Sequence, residues 1–302
     1  MTYIDLHIHT TCSDGEYTPF QIINLAKENN VSTVSICDHD TIEAYNEELI
    51  NYAKNQNISI IYGVEISTRF YGAGIHVLGY NFDLKNSKLL NCLNKLKNAR
   101  VDYLINVSKS LNKLGYIVET DKLRQLKSVT KAHIANNIIN NDKNKNLLLK
   151  NFSHIPSKGE FIETIMNENC PAFVEKFSIT PIEASNIIKE AGGKVILAHP
   201  VAYMNEDNIS VIQIENLLKE MNADGIEANY IYVNKNNEVI NNCSFWNSFA
   251  KDKNIITTIG SDFHNKDNIH PNIGLINTEL KLSLEQCNVI IENLLNKSKK
   301  IK

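Results

Sequence analysis

The sequence predicts an α/β fold: a strand–helix barrel interrupted by one helical insertion. Short apolar runs alternate with helical patterns in residues 1–81 and again in 177–302. Seven of these runs have strand length, and repeated strand–helix units with apolar strands imply a parallel sheet covered by helices. Residues 82–176 contain no convincing strand and read as helices alone.

The elements follow in order. Tyr3–Ile8 is a strand. Thr18-Pro19 supplies an N-cap and a proline at the first helical position, ahead of an apolar face of Ile22, Ile23 and Ala26. Val31–Cys37 is the next strand, a helix is expected over Thr41–Gln56, and Ile58–Ile66 and Gly74–Leu78 are the third and fourth strands. In the insertion, Leu89, Leu93, Leu96, Leu104, Val107, Leu111 and Leu114 recur at helical spacing, with Arg100 in the same stripe and Gly115 as a stop signal. Shorter helices are expected over Thr120–Leu126, Lys131–Asn140 and Gly159–Asn167, with the Asn/Lys-rich stretch Asn140–Lys150 as a loop or frayed end. Alternation resumes with a helix from Thr180-Pro181 to Gly192-Gly193. It continues through strands Lys194–Ala198, Gly225–Ala228 and Ile255–Ile259, with helices near Asn208–Met221 and Asn237–Asp252 between them. Ser283 and Gln286 form a capping-box pair before the last helix.

The 302 residues are 43% hydrophobic and 22% charged, the balance of a globular protein with a sizeable core. A net charge of −3 and a positive charge carried by Lys, with only Arg69, Arg100 and Arg124, argue against a duplex-DNA binder. No window has the length of a membrane span, and Asp5 and His7 interrupt any leader-like apolar run. The six cysteines, Cys12, Cys37, Cys92, Cys170, Cys243 and Cys287, form no CxxC pair. They read as reduced thiols, mostly buried, in a cytoplasmic protein.

The chemistry is carried by where metal-binding residue types fall. His7 and His9 end the first strand, with Asp14 beyond. Asp38, His39 and Asp40 end the second, Glu65 the third. His76 lies in the fourth, His199 ends the strand after the insertion, and Asp262 and His264 follow the last. The carboxyl ends of parallel barrel strands open on one face, so these residues converge. Strand alternation puts His7 and His9 on one side of the chain, able to chelate one ion. Imidazole and carboxylate donors suit Mn²⁺, Fe²⁺ or Zn²⁺, and the absence of cysteine argues against a closed structural zinc site.

These stretches resemble the PHP (polymerase and histidinol phosphatase) family. The matching residues are Asp5-Leu6-His7-Ile8-His9-Thr10, Ser13-Asp14-Gly15, Cys37-Asp38-His39-Asp40-Thr41, Gly63-Val64-Glu65-Ile66-Ser67, Ile75-His76-Val77-Leu78-Gly79-Tyr80, Leu197-Ala198-His199-Pro200 and Gly260-Ser261-Asp262-Phe263-His264. The resemblance implies a distorted (β/α)7 TIM-like barrel holding two or three divalent ions. It assigns His7, His9, Glu65 and Asp262 to a first ion, and Glu65, His76 and His199 to a second. Asp14, His39 and His264 would hold a third. Three divalent ions against three carboxylates would leave about three positive charges to attract a phosphate, with a metal-bound water as nucleophile. Asp40 or His199 would assist proton transfer, and Asp38 would orient an imidazole from behind.

The inserted segment resembles the subgroup acting on nucleoside monophosphates, nucleoside 3′,5′-bisphosphates or the 5′ ends of short RNA. The implied partner is therefore a small phosphorylated substrate, a nucleotide or short RNA, with neither duplex DNA nor a membrane. Lys131-Ala132-His133 stands where that subgroup carries Arg-Pro-His, and a lysine there lacks the bidentate fork of arginine. His133 is either a phosphate contact or a helix-surface histidine, and Arg100 a phosphate clamp or a surface residue. Lys176 is a further candidate contact. Asn229-Tyr230-Ile231-Tyr232 departs from the histidine-containing pattern usual there, and His154 and His270 read as surface residues. The competing readings are a histidinol-phosphate-type phosphatase, an amidohydrolase-type enzyme, and a non-catalytic nucleic-acid-binding or scaffold module.

Overall fold

The computed structural model describes residues 3–126, 129–234, 236–267, 269–275 and 277–296. The strands are β1 (Ile4–Ile8), β2 (Thr33–Ile36), β3 (Ser59–Ile60), β4 (Gly63–Phe70), β5 (Ala73–Tyr80), β6 (Lys194–Leu197), β7 (Gly225–Asn229), β8 (Ile231–Val233), β9 (Val239–Asn241) and β10 (Ile256–Ile259). The α-helices are α1 (Pro19–Glu28), α2 (Glu47–Asn55), α3 (Ser87–Lys113), α4 (Thr120–Leu123), α5 (Lys131–Ile139), α6 (Lys145–Phe152), α7 (Lys158–Phe161), α8 (Pro181–Glu190), α9 (Pro200–Glu206), α10 (Val211–Glu220), α11 (Cys243–Lys253) and α12 (Leu284–Leu295). The protein is mixed α/β. The chain divides into two compact units, residues 1–93 with 179–302, and residues 94–178.

In the first unit β1, β2 and β3 form a parallel sheet, and a five-stranded sheet runs β10-β7-β6-β5-β4. The expected all-parallel arrangement needs correction, because β5 runs antiparallel to both β4 and β6. The cause is local. Tyr71 and Gly72 join β4 to β5 with φ of 47° and 86°, a two-residue hairpin turn far too short for a parallel crossover. The expected third strand also splits at Ile61-Tyr62, so Glu65 lies near the start of β4 rather than at a strand end.

The hydrogen-bonded ladders do not run on into one closed sheet. Isolated bridges join the two sheets at Ile8–Phe263 and at His39–Glu65. Tyr45 adds a side-chain link at the second of these seams. Its hydroxyl donates to Ile36 O at 2.6 Å and accepts the N–H of Ile36 at 3.0 Å and of Gly63 at 2.8 Å. Tyr45→Phe leaves backbone groups of β2 and β4 without that partner. It is expected to lower unfolding stability by about 1–3 kcal/mol, measurable by denaturant titration.

The helices start where their caps dictate. Capping boxes are complete at Thr18/Gln21, Thr180/Glu183, Ser210/Gln213 and Ser283/Gln286, the last as expected. Two helices were not anticipated: α9, which Pro200 opens, and α6 within the Asn/Lys-rich stretch. The helix expected from Asn237 begins only at Cys243, because 239–241 pairs with 231–233 as a small hairpin. The helix expected from Thr41 begins at Glu47, where Asn46 caps it.

One core cluster of the first unit lies under β1, β5 and β6 (Leu6, Leu78, Tyr80, Ile196), and another joins β2 to α1 and α2 (Ile22, Ile23, Val34, Leu49). The second unit has its own core, with Leu104, Val107 and Leu111 of α3 against Tyr116, Ile134, Phe161 and Met166. The cysteines are free thiols, all buried except the half-buried Cys170. Among the described residues no helix is long and apolar enough to cross a membrane.

Candidate metal centre

The first unit gathers all nine predicted metal-ligand residues into one cluster. β1 is buried along its whole length, so the alternation that turns Ile8 into the core turns His7 and His9 the other way. Their Nε2 atoms lie 3.2 Å apart. Asp262 reaches them from beyond β10, with Oδ1 3.1 Å from His9 Nε2 and 3.5 Å from His7 Nε2. Glu65 Oε2 is 3.2 Å from His9 Nε2 and 3.4 Å from His7 Nε2. These four donors form one set.

Around Glu65 Oε1 a second set forms, with His76 Nδ1 at 2.9 Å, His199 Nε2 at 3.1 Å, and 3.4 Å between the two imidazoles. Asp14 anchors a third, with His264 Nε2 at 3.4 Å and His39 Nε2 at 3.7 Å. His9 Nδ1 also approaches Asp14, at 3.6 Å, and His39 Nδ1 lies 3.0 Å from Glu65. His9, His39 and Glu65 therefore each stand between two sets. The floor of the cluster is sealed, with His7, His9 and Glu65 at most 1% exposed, while the rim is open, with His76 at 30% and His264 at 34%.

Burial opposes charge on every group here, and mutual attraction overcomes it at most of them. His9 is driven down by burial, yet Asp262 and Glu65 raise its pKa to about 10. His7 and His199 are likewise raised against the pull of burial, His7 by Glu227, Glu65 and Asp262, His199 chiefly by Glu65. Burial would raise Glu65, Asp14 and Asp262, but the surrounding imidazoles hold all three well below the usual carboxylate range. At His39 burial wins and its pKa falls.

The donors fit divalent cations. Asp14 Oδ1, His39 Nδ1, Glu65 Oε2 and His199 Nδ1 are buried without a hydrogen bond. His39 Nδ1 and Glu65 Oε2 lie 3.0 Å apart, close enough to ligate one shared ion. Unpaired buried polar atoms are costly unless something cationic satisfies them, and imidazole with carboxylate is the donor set of Mn²⁺, Fe²⁺ and Zn²⁺.

Several supporting residues depart from expectation. Asp38 does not touch an imidazole. It accepts from Thr10 N–H, Thr10 Oγ1 and Ser13 Oγ, at 2.7, 2.7 and 2.5 Å, and so fixes the loop that carries Asp14. Ser13 Oγ in turn sits 3.4 Å from His9 Nδ1, making the link to the imidazole indirect. Asp40, at φ 55°, accepts the Ser67 N–H at 2.8 Å. Sequence reasoning passed over Glu227, which lies 3.0 Å from His7 Nδ1, and Tyr203, whose hydroxyl accepts the His76 N–H at 2.8 Å. It also passed over Tyr230 as a neighbour of Asp262, whose Oδ2 lies 3.4 Å from the Tyr230 hydroxyl. An acid between the apolar residues Ile226 and Ala228 was the available signal for Glu227.

The four predicted substrate contacts lie in the second unit. Arg100 is buried on α3. Lys131 donates to Asn167 Oδ1 at 2.8 Å, and His133 Nδ1 accepts the Thr130 N–H at 3.2 Å, completing the cap of α5. Lys176 lines a cavity of about 580 Å³ with Lys95, Asn98, Tyr103, Asn106 and Phe177. His154 and His270 are exposed, each beside a carboxylate.

Fold and donor cluster fit a metal-dependent phosphoesterase, a hydrolase of phosphoric esters, and the chain's likeness to known proteins places it in that class. Residues 5–168 match the PHP domain family. A 5′-3′ exoribonuclease of Haemophilus influenzae is 31% identical over 86% of this chain and 89% of its own. The chain belongs to the PHP domain family. It is also 23% identical to a 3′,5′-nucleoside bisphosphate phosphatase of Chromobacterium violaceum, over 87% of this chain and 88% of that one. In structure it is similar to a protein from Bifidobacterium adolescentis described as a metal-dependent phosphoesterase. The TM-score is 0.74 with 19% identity, covering 97% of this chain and 96% of the other.

Proposed function

We propose that the protein removes phosphate from a nucleotide or from the 5′ end of short RNA at a three-ion centre. The observation that carries this is one cluster of three donor sets, two of them joined through Glu65, with no ligand position lost. A non-catalytic scaffold would have no use for that completeness. The relatives named for RNA 5′-3′ cleavage and for nucleoside bisphosphates support the substrate class. We read the two sheets and the seams between them as a distorted (β/α)7 barrel.

The proposed ligands are His7, His9, Glu65 and Asp262 for one ion, Glu65, His76 and His199 for a second, and Asp14, His39 and His264 for a third. Bound divalent ions supply the positive charge that draws in a phosphate dianion and make water acidic enough to serve as a nucleophile. The chain's own contribution is to hold the cup. Buried His7, His9 and Glu65 form a floor that excludes water from behind, while half-buried His76 and His264 leave the approach open. Of the two candidates for moving a proton, His199 has its Nε2 directed at Glu65, so we assign the transfer to Asp40. The Ser67 N–H holds that carboxylate in one orientation. Residues 82–176 are proposed as the substrate-binding cap, with Arg100, Lys131, His133 and Lys176 as the contacts on phosphate or ribose.

A phosphate-release screen in Mn²⁺ tests the reading. Nucleoside monophosphates, 3′,5′-bisphosphates, histidinol phosphate and short 5′-phosphorylated RNA are compared at equal concentration. The expected result is preference for one of the nucleotide classes. Selective turnover of histidinol phosphate would replace the substrate assignment, and no release from any ester would remove the reading altogether.

A further inference from the structure

We infer that Glu227 is a positioning residue that sets His7 and His199 together, so that one carboxylate fixes ligands of two neighbouring donor sets. The inference rests on the metal-centre reading and adds a residue outside the ligand set.

Glu227 is fully buried in β7, the strand between β6 and β10. Its Oε1 and Oε2 lie 3.0 and 3.2 Å from His7 Nδ1, and Oε2 also accepts the backbone N–H of His199 at 2.9 Å. A carboxylate beside Nδ1 keeps the proton there, which leaves the Nε2 lone pair of a neutral imidazole directed at Glu65 and Asp262. At His199 the backbone has φ 21° and ψ 62°, a sparsely populated conformation that persists only when surrounding bonds enforce it. The hydrogen bond to Glu227 is one such bond.

Gly260 makes room for this arrangement. A Cβ at that position would lie 2.5 Å from Glu227 Oε1 and would also run into His7. Two N–H groups, one from β1 and one from the cap of α9, thus meet one side chain in a space cleared for it. A carboxylate offers His7 two acceptors and still accepts from His199. A glutamine oxygen in the Oε2 place could accept from both, but its NH₂ would then face His7 Nδ1–H in place of Oε1, and the charge would be lost.

The test compares wild type with Glu227→Gln and Glu227→Asp, using Mn²⁺ titration calorimetry of chelator-treated protein and long-range ¹H–¹⁵N spectra of the histidine rings. Glu227→Gln is expected to weaken ion binding about 10–100-fold, the usual consequence of losing the partner behind a ligating histidine. At a pH where the spectra show a neutral His7 ring, it is also expected to shift the His7 proton from Nδ1 toward Nε2, with an unchanged circular dichroism spectrum. Glu227→Asp keeps the charge but shortens the reach, and a loss of at least about tenfold is expected. It decides the matter if the glutamine variant does not fold. Wild-type affinity in a folded variant, with the His7 tautomer unmoved, would overturn the role of Glu227 alone. A wild-type protein that takes up no ions would overturn the metal-centre reading and this inference with it.

Discussion

Glu65→Gln is expected to reduce kcat/KM for phosphate release by at least about 10²–10³-fold, the loss typical when one preorganised charge-stabilising group is removed. Five imidazole nitrogens, from His7, His9, His39, His76 and His199, lie within 2.9–3.4 Å of its two oxygens. No other carboxylate in the cluster has so many imidazole partners. The amide has one acceptor oxygen and no charge, so it cannot draw ions into two sets at once. In metal-free protein the same change removes the anion that helps hold His9 and His199 protonated, and leaving buried charges uncompensated costs about 3–5 kcal/mol. The variant is therefore expected to lose both ion content and thermal stability. Phosphate release in Mn²⁺ and elemental analysis of the purified protein check the two effects. Wild-type turnover with a full complement of ions would remove Glu65 from the centre of the reading.

How much of this could be read from the sequence depended on how local the cause was. His7 and His9 were legible because strand alternation alone puts them side by side. Asp262 and His264 were legible because residues just past the carboxyl ends of neighbouring parallel strands face the same side. The capping box at Ser283/Gln286 was legible too, since a cap depends on four consecutive residues. The direction of β5 was missed although the Tyr71-Gly72 turn signals a hairpin, because the surrounding strand–helix rhythm argued for parallel strands. Helix α6 was missed because its asparagines have modest helix propensity, and it is the burial of Leu148 among the α3 and α5 side chains that holds it. Glu227 was passed over for the opposite reason, marked only as an acid between Ile226 and Ala228. Its partners are a side-chain nitrogen 220 residues away and a backbone N–H, and neither leaves a pattern in the sequence.

The proton load of the centre leads to the second large effect. Metal ligation needs neutral imidazoles, and at pH 7 the metal-free fold holds His9, with a pKa of about 10, in its charged form. Uptake of Mn²⁺ at that pH is therefore expected to release protons, visible as a calorimetric enthalpy that varies with the ionisation enthalpy of the buffer. The stability consequences follow from the direction of each shift. A histidine raised in the folded state stabilises it fully below about pH 6.5, its unfolded value, and this stabilisation fades as pH climbs toward about 10. Glu65, Asp14 and Asp262 are depressed, so their contribution is in place above about pH 4.5 and is lost on acidification. Metal-free protein should thus be most stable between roughly pH 4.5 and 6.5 and weaken as pH rises. Ion affinity moves the other way over that range, because fewer protons compete. The gain in unfolding stability from saturating Mn²⁺ should be small at pH 6 and approach about 4 kcal/mol at higher pH, once the free ion exceeds its Kd a thousandfold. Unfolding midpoints measured with and without Mn²⁺ from pH 5 to 9 decide the point: an ion-induced increment that shrinks with pH would mean that the imidazoles are not the groups giving up protons to the metal.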